Sequence, residues 1–317
     1  MQRGKTSTKC AGIDVGKHWL DGAVHGQAET VRVRRDAAGI GALIVWLQGH
    51  GAQRVGLEAS GGYERMVIEA LEAVGLEVVL HQPLEVRLFA RLKRLRAKND
   101  RLDAALIAAA TAQVDAARAA ADPRLRDLGD RLTAYEQISD QLAELKGFLE
   151  HVASKDVMSQ LKAQVASLGR LKARLAAGVL ERLRSYPDLA ARYALLISLP
   201  GVGPIVAASL VVRMPELGQM KRGQAAALLG VAPFDHDSGQ LKGKRFIAGG
   251  RRRPRRLIYL AALSAKRWDP SQKAFAQRLA ERGKPAKLII VAVMRRLIEA
   301  ANLILARQTP WVRATAP

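Results

Sequence analysis

Four acidic residues stand where a metal-dependent phosphoryl-transfer site needs them. Asp14 lies at the end of the first predicted strand in GIDVGK, just ahead of a turn at Gly16, and Glu58 ends the fourth in GLEASGG. Open α/β sheets place their sites at such carboxyl ends of strands. Asp100 and Asp103 open a predicted helix in KNDRLDA that runs to about Ala112. A spacing of three puts the pair on one helical face, with Cβ atoms roughly 5–6 Å apart. That suits ligands of two divalent cations about 3.5–4 Å apart, which clamp the attacking and leaving oxygens of a displacement. Acidic residues at a helix start also complement its dipole, so a cap at Asp100 and a surface group at Asp103 are the competing reading.

A second set of reactive residues lies far downstream. FDHDSGQLKGKR places Ser238 in a polar, Gly-flanked loop, with Lys242, Lys244 and Arg245 close behind. Cations beside a serine favour its alkoxide and a phosphorane-like transition state, so attack on a phosphodiester is the chemistry on offer. A loop serine is more often only that, and the adjacent His236 and Asp237 do not make a triad by adjacency. Arg251, Arg252, Arg253, Arg255 and Arg256 form a second basic cluster in GGRRRPRR, read as a phosphate clamp or as a flexible tail for any polyanion. LPGVGP at 199–204, followed by IVAASLV, resembles a helix-hairpin-helix element. In that reading Gly201 and Gly203 let backbone N–H groups approach a phosphate. A tight turn between packed helices is the alternative.

These residues need elements to hold them. Residues 10–15, 19–24 and 30–34 are short β-prone runs that predict a three-stranded antiparallel meander. A helix follows from about Ala37 to Gln48, with Asp36 as N-cap. Then come a strand at 53–58, a helix from about Gly62 to Val74, a strand at 76–81 and a helix opened by Pro83. The order β-β-β-α-β-α-β-α is that of the RNase H-like nucleases, and other α/β folds share it. From Arg124 to about Arg184 charged residues alternate with Leu, Ile and Val at helical spacing, which predicts two long helices broken near Ser154–Lys155. They form a coiled-coil arm or a spacer folded on the core. Beyond Pro187 the reading is of short helices at 205–213 and 221–230, a Gly-rich basic stretch at 239–256, and a long amphipathic helix near 285–307.

Charge names the partner class. The net charge of +22 calls for a polyanion, with nucleic acid ahead of an anionic membrane surface. From Ala191 to Pro317 there are 23 Lys and Arg against 6 Asp and Glu, which leaves only +5 for the first 190 residues. The last third is therefore the expected nucleic-acid clamp. No apolar run is long enough to span a bilayer and no signal peptide is read at the start, so the cytoplasm is the expected compartment. The single cysteine, Cys10, excludes an internal disulfide and a cysteine-rich zinc site.

Taken together, GIDVGK (12–17), LEASGGYE (57–64), KNDRLDA (98–104), LPGVGP (199–204) and APFDHDSGQLKGKR (232–245) resemble the insertion-sequence transposases of family 110, whose relatives include pilin-gene invertases. The motifs span nearly the whole chain in the family's order. The resemblance implies a RuvC-like catalytic domain at 1–118, a helical coiled-coil arm at 119–188, and a mostly α-helical, basic C-terminal transposase domain at 189–317. It assigns the metal-binding tetrad to Asp14, Glu58, Asp100 and Asp103, with two Mg²⁺ or Mn²⁺ ions, and the nucleophile to Ser238. It further implies double-stranded DNA as substrate, an element-encoded structured RNA as guide, a homodimer or homotetramer with a composite site, and work on the nucleoid. Lys242, Lys244, Arg245 and Arg251–Arg253 are the expected backbone contacts. The competing expectations are a RuvC-like nuclease that uses water, an invertase, and a nucleic-acid-binding protein without catalysis.

Overall fold

The computed structural model describes residues 8–94, 100–114, 122–234, 243 and 245–312, without the side chains of residues 100–102. The chain divides into two compact units, Met1–Ala121 and Asp122–Pro317.

Unit 1 is built on a five-stranded sheet in the order β3-β2-β1-β4-β5. Strands β1 (Cys10–Val15), β2 (Trp19–Val24) and β3 (Thr30–Arg34) form the antiparallel meander. Strands β4 (Arg54–Glu58) and β5 (Glu77–His81) run parallel to β1. Every β1 residue except Asp14 is buried, which is why CAGIDV lacks the polar alternation of a one-sided strand. Helix α1 (Ala37–Gly49) starts where the Asp36 carboxylate accepts the Gly39 N–H at 2.9 Å, and it buries Ile40, Leu43 and Leu47. Helix α2 (Arg65–Ala73) adds Val67 and Leu71 to the same core. Helices α3 (Pro83–Leu92) and α4 (Asp100–Thr111) complete the unit. The mixed sheet and its helices are consistent with the RNase H-like expectation.

Unit 2 is helical. Helices α5 (Pro123–Leu149) and α6 (Lys155–Arg184) are the two long helices expected, broken at 150–154. At one end they bury Leu128, Leu132, Val179 and Leu183 in the core of the unit; toward the other, Phe148 is exposed. Then follow α7 (Pro187–Ile197), α8 (Pro204–Arg213), α9 (Gln224–Leu229), a small hairpin of β6 (Pro233–Phe234) and β7 (Phe246–Ile247), α10 (Arg252–Trp268), α11 (Pro270–Glu281) and α12 (Ala286–Arg307). Prolines open α5, α7, α8 and α11, where the missing N–H costs nothing. Helix α12 buries Ile289, Val293, Leu297, Ile298 and Ala301 and forms the spine of this core.

The sequence reading differs from this mainly in unit 2, and in unit 1 at α2, which begins at Arg65 rather than near Gly62. The basic stretch read as Gly-rich to residue 256 turns helical at Arg252, because Ile258, Ala261, Ala262 and Ala265 give the Arg run an apolar face to bury. The helix expected from 221 begins only at Gln224, since Gly223 holds φ +86° and ends the preceding turn. Helices α7 and α11 were not anticipated. Among the described residues, no helix is long and apolar enough to cross a membrane.

Candidate active site and nucleic-acid interface

The placement of α4 decides what unit 1 can do. Gly12 on β1 and Gly56 on β4 are register partners. A Cβ at Gly12 would collide with the Ala104 carbonyl and the Ala108 backbone; one at Gly56 would collide with the Thr111 hydroxyl. The two glycines thus form a flat seat that lets α4 lie directly on the middle of the sheet. Two further ties fix the far end of the helix. Thr111 Oγ1 donates to the Ile107 carbonyl at 2.7 Å, so His81 Nε2 must donate to Thr111 at 2.9 Å. Arg54 pairs with Glu77 at 2.7 Å and donates to the Val114 carbonyl at 2.5 Å, joining β4, β5 and the residues after α4.

Strand alternation then places the acids. Asp14 and Glu58 each lie two residues beyond their glycine, on the same sheet face and toward the carboxyl ends of β1 and β4. Asp103 lies one turn before Ile107 on the stripe of α4 that touches the sheet. Asp14, Glu58 and Asp103 each have interactions within the protein. Asp100 is the first residue of α4, and its side chain is outside the described set. Among the described residues, no three His, Cys, Asp or Glu side chains are gathered closely enough to hold a metal ion.

Two acidic residues that sequence reasoning passed over shape the surroundings. Asp21 is the cross-strand partner of Asp14 and is buried. Like charges directly opposed repel, and Arg32 on β3 offsets this by gripping Asp21 through two hydrogen bonds at 2.8 and 2.9 Å. The only sequence signal was an acid inside an otherwise apolar strand, WLDGAV. Glu64 folds the loop after Glu58: its carboxylate accepts from the Ser60 hydroxyl at 2.5 Å, Gly62 N at 2.9 Å and Ser60 N at 3.1 Å. Burial by itself would raise the Glu64 carboxyl, but these hydrogen bonds outweigh it and hold the group below its ordinary value. The loop can turn so tightly because Gly61 and Gly62 take φ of +79° and +121°.

In unit 2 the predicted residues separate into classes. Ser238, Lys242 and Lys244 lie outside the described residues. The stem of their loop is the β6–β7 pair, with Pro233 opposite Ile247 and Phe234 opposite Phe246. Below it, Gly230 and Gly250 approach so closely that a Cβ on either would strike the other's backbone neighbourhood, and Arg255 donates to the Gly230 and Gly249 carbonyls at 3.2 and 2.7 Å. The GG pair is therefore a clasp rather than a flexible lead-in. Arg251 pairs with Glu216 and donates to the Arg213 carbonyl; Arg253 binds Glu136 at 3.0 Å and Thr133 at 2.6 Å. Arg252 has no carboxylate partner among the described residues. Gly201, at φ +77°, sits against α10, where a Cβ would collide with the Ala261 carbonyl and Ala265 N, whereas Gly203 is the open N-cap of α8. Arg245 also makes contacts within the protein.

Comparison with known proteins now carries an assignment. Residues 11–154 match a DEDD transposase model of the IS110 group, and residues 193–277 match the model described as Transposase IS116/IS110/IS902 family. The chain belongs to the IS110 transposase family. As a member it is a DNA transposase or recombinase, a class that generally uses divalent metal and takes DNA as substrate. Pilin gene-inverting proteins of Moraxella bovis and Moraxella lacunata are each 24% identical over 318 residues, covering 95% of this chain and 96% of theirs. An insertion element IS900 uncharacterized 42 kDa protein of Mycobacterium paratuberculosis is 32% identical over 109 residues, covering 32% of this chain and 26% of that protein. Both family models fall on the residues that place the IS110 motifs: one on the sheet with its acids, the other on the turn at 199–204 and the hairpin stem.

Proposed function

We propose that this transposase cuts and rejoins DNA through a covalent link between Ser238 and a DNA phosphate, with Asp14, Glu58, Asp100 and Asp103 as the metal-binding tetrad. The observation that carries the reading is the seat at Gly12 and Gly56, which brings α4 onto the strands that carry Asp14 and Glu58 near their carboxyl ends. An all-carboxylate donor set is hard and suits Mg²⁺ or Mn²⁺. Bound there, two ions would supply Lewis-acid stabilisation of the attacking and leaving oxygens.

The chain's own part follows from its chemistry. The Ser238 hydroxyl loses its proton as the Oγ–P bond forms, and the P–O3′ bond breaks to leave a 3′ hydroxyl. A 3′ hydroxyl of the receiving strand then attacks the phosphoserine, and Ser238 regains its proton. The phosphodiester is conserved throughout, so rejoining needs no outside energy source. Lys242, Lys244, Arg245 and Arg252 would hold the strand backbone, with N–H groups near Gly201 and Gly203 assisting. Arg251 and Arg253 are committed to Glu216 and Glu136, so their share in binding is smaller. A structured guide RNA, an oligomer joined through α5 and α6 that completes a composite site, and work on the nucleoid in the cytoplasm belong to the same reading. DNA inversion rather than insertion is the second reading, favoured by relatives named for pilin-gene inversion that match along the whole chain.

A suicide substrate, in which a nick lets the product strand diffuse away, tests the covalent step. A DNA–protein adduct should form in Mg²⁺ and vanish in Ser238→Ala and in EDTA. No adduct, or one that survives Ser238→Ala, overturns the serine mechanism in favour of hydrolysis by water.

A further inference from the structure

Unit 2 carries a groove whose aromatic and apolar wall neither the carboxylates nor the serine chemistry uses. We propose that it holds one unpaired nucleotide of a bound strand, the base against Tyr259 and the phosphate at Arg252. The groove measures ≈ 550 Å³, within the range of small-ligand sites. One wall is a stripe of α10 at helical spacing, Arg252, Arg256 and Tyr259, flanked by Arg253 and Arg255; Ile247 of β7 and Val291 and Met294 of α12 supply the apolar side.

The chemistry of these walls is divided. Met294 is buried and Val291 half-buried, yet Tyr259 and Ile247 remain 45% and 41% exposed. An aromatic ring and a branched aliphatic chain are thus left open beside a cluster of cations. A duplex backbone needs only the cations; an apolar and aromatic surface adds nothing to a phosphate but receives the face of an unstacked base. The arginines sort in the same way. Arg253 is spent on Glu136 and Thr133, Arg255 on two backbone carbonyls, and Arg256 reaches Asp140 at 2.5 Å. Arg252, exposed at the rim, has no carboxylate partner among the described residues. An apolar ligand would use only the apolar wall, whereas a nucleotide engages both that wall and the exposed Arg252 guanidinium. The proposal rests on the reading of this chain as a nucleic-acid-handling enzyme, but not on Ser238 being the nucleophile.

The test is fluorescence anisotropy with the full chain in EDTA, where no strand is cut. The probes are a labelled 20-nucleotide single strand of DNA, the same sequence as RNA, and the DNA duplex. Tyr259→Ala should weaken single-strand binding by about 5- to 100-fold, the range of one lost base–aromatic stack, while Tyr259→Phe retains it and duplex affinity changes less than about twofold. Arg252→Ala should lower the slope of log affinity against log salt by about 0.7 for the single strand. A larger Tyr259→Ala effect on RNA than on DNA identifies the occupant as the RNA strand. Loss below twofold on both single strands, equal loss on duplex, or loss with Tyr259→Phe overturns the proposal. Both side chains are exposed, and an unchanged thermal unfolding midpoint separates lost binding from lost folding. Because binding is read without cleavage, failure here leaves the adduct assay standing, and the reverse.

Discussion

Units 1 and 2 solve opposite electrostatic problems. Unit 1 brings acids toward one end of a sheet, and it does so with backbone: a pair of glycines, strand register and a helix laid flush on them. Unit 2 carries most of the chain's positive charge, and it spends much of that charge on itself. Arg251, Arg253 and Arg255 hold Glu216, Glu136 and the Gly230–Gly249 clasp before any ligand arrives. A count of basic residues therefore overstates the surface offered to a polyanion, whereas a count of acids in unit 1 omits the backbone that aims them.

The comparison breaks first at the acids themselves. Asp14→Ala and Glu58→Ala should each reduce metal-dependent DNA cleavage to background while leaving the unfolding midpoint within a few degrees; substantial cleavage by either variant sinks the tetrad. The seat comes next. Gly12→Ala forces a methyl against the backbone of α4 and should cost about 1–3 kcal/mol or more in urea unfolding, with cleavage lost alongside. A neutral Gly12→Ala means that α4 does not lie flush on β1.

Glu64→Gln is a smaller change with a pH signature. The folded pKa of Glu64 is depressed, so its stabilising contribution is present above the unfolded value of about 4.3 and is lost as pH falls through the folded one. Wild type should exceed the variant by about 1 kcal/mol at pH 7, and the two should converge as pH falls through the depressed folded value. A difference that persists unchanged into acid contradicts the hydrogen-bonded carboxylate. The finest distinction lies among the arginines. Arg253→Ala should cost about 0.5–1 kcal/mol through the Glu136 pair, whereas Arg252→Ala should stay within about 0.5 kcal/mol and act on nucleic-acid binding alone. Equal stability losses would erase the division between structural and ligand-facing cations.

Unit 1 was legible in the sequence because its signals are local. The β-prone runs, Asp36 as a cap and Pro83 as a helix start each act within a few residues, and they fix five strands and the starts of α1 and α3 nearly to the residue, whereas α2 begins at Arg65 rather than near Gly62. The long pair α5 and α6 was readable for the same reason. What escaped depended on tertiary pairing. PDLAARYALLI becomes a helix whose Leu189, Tyr193 and Leu196 find the core, and the Arg run becomes one because alanines behind it pack on the turn at Gly201. Asp21 gave no local sign that it would stand opposite Asp14, since register is a property of two strands. Glu64 sat in the motif LEASGGYE, but its role appears only when the loop closes on it.

The contact between Gly201 and α10 leaves no clearance, since a single methyl on the turn would meet Ala261 and Ala265. The turn at 199–204 and the Arg-bearing helix, whose contacting residues Gly201 and Ala261 are 60 positions apart in sequence, therefore behave as one machined fit. Enlarging either Ala261 or Ala265 is equivalent to enlarging Gly201, and each would tilt the whole row of guanidinium groups that α10 carries. Exchanging one segment alone with a relative of different bulk should jam the fit. Exchanging both together should restore it.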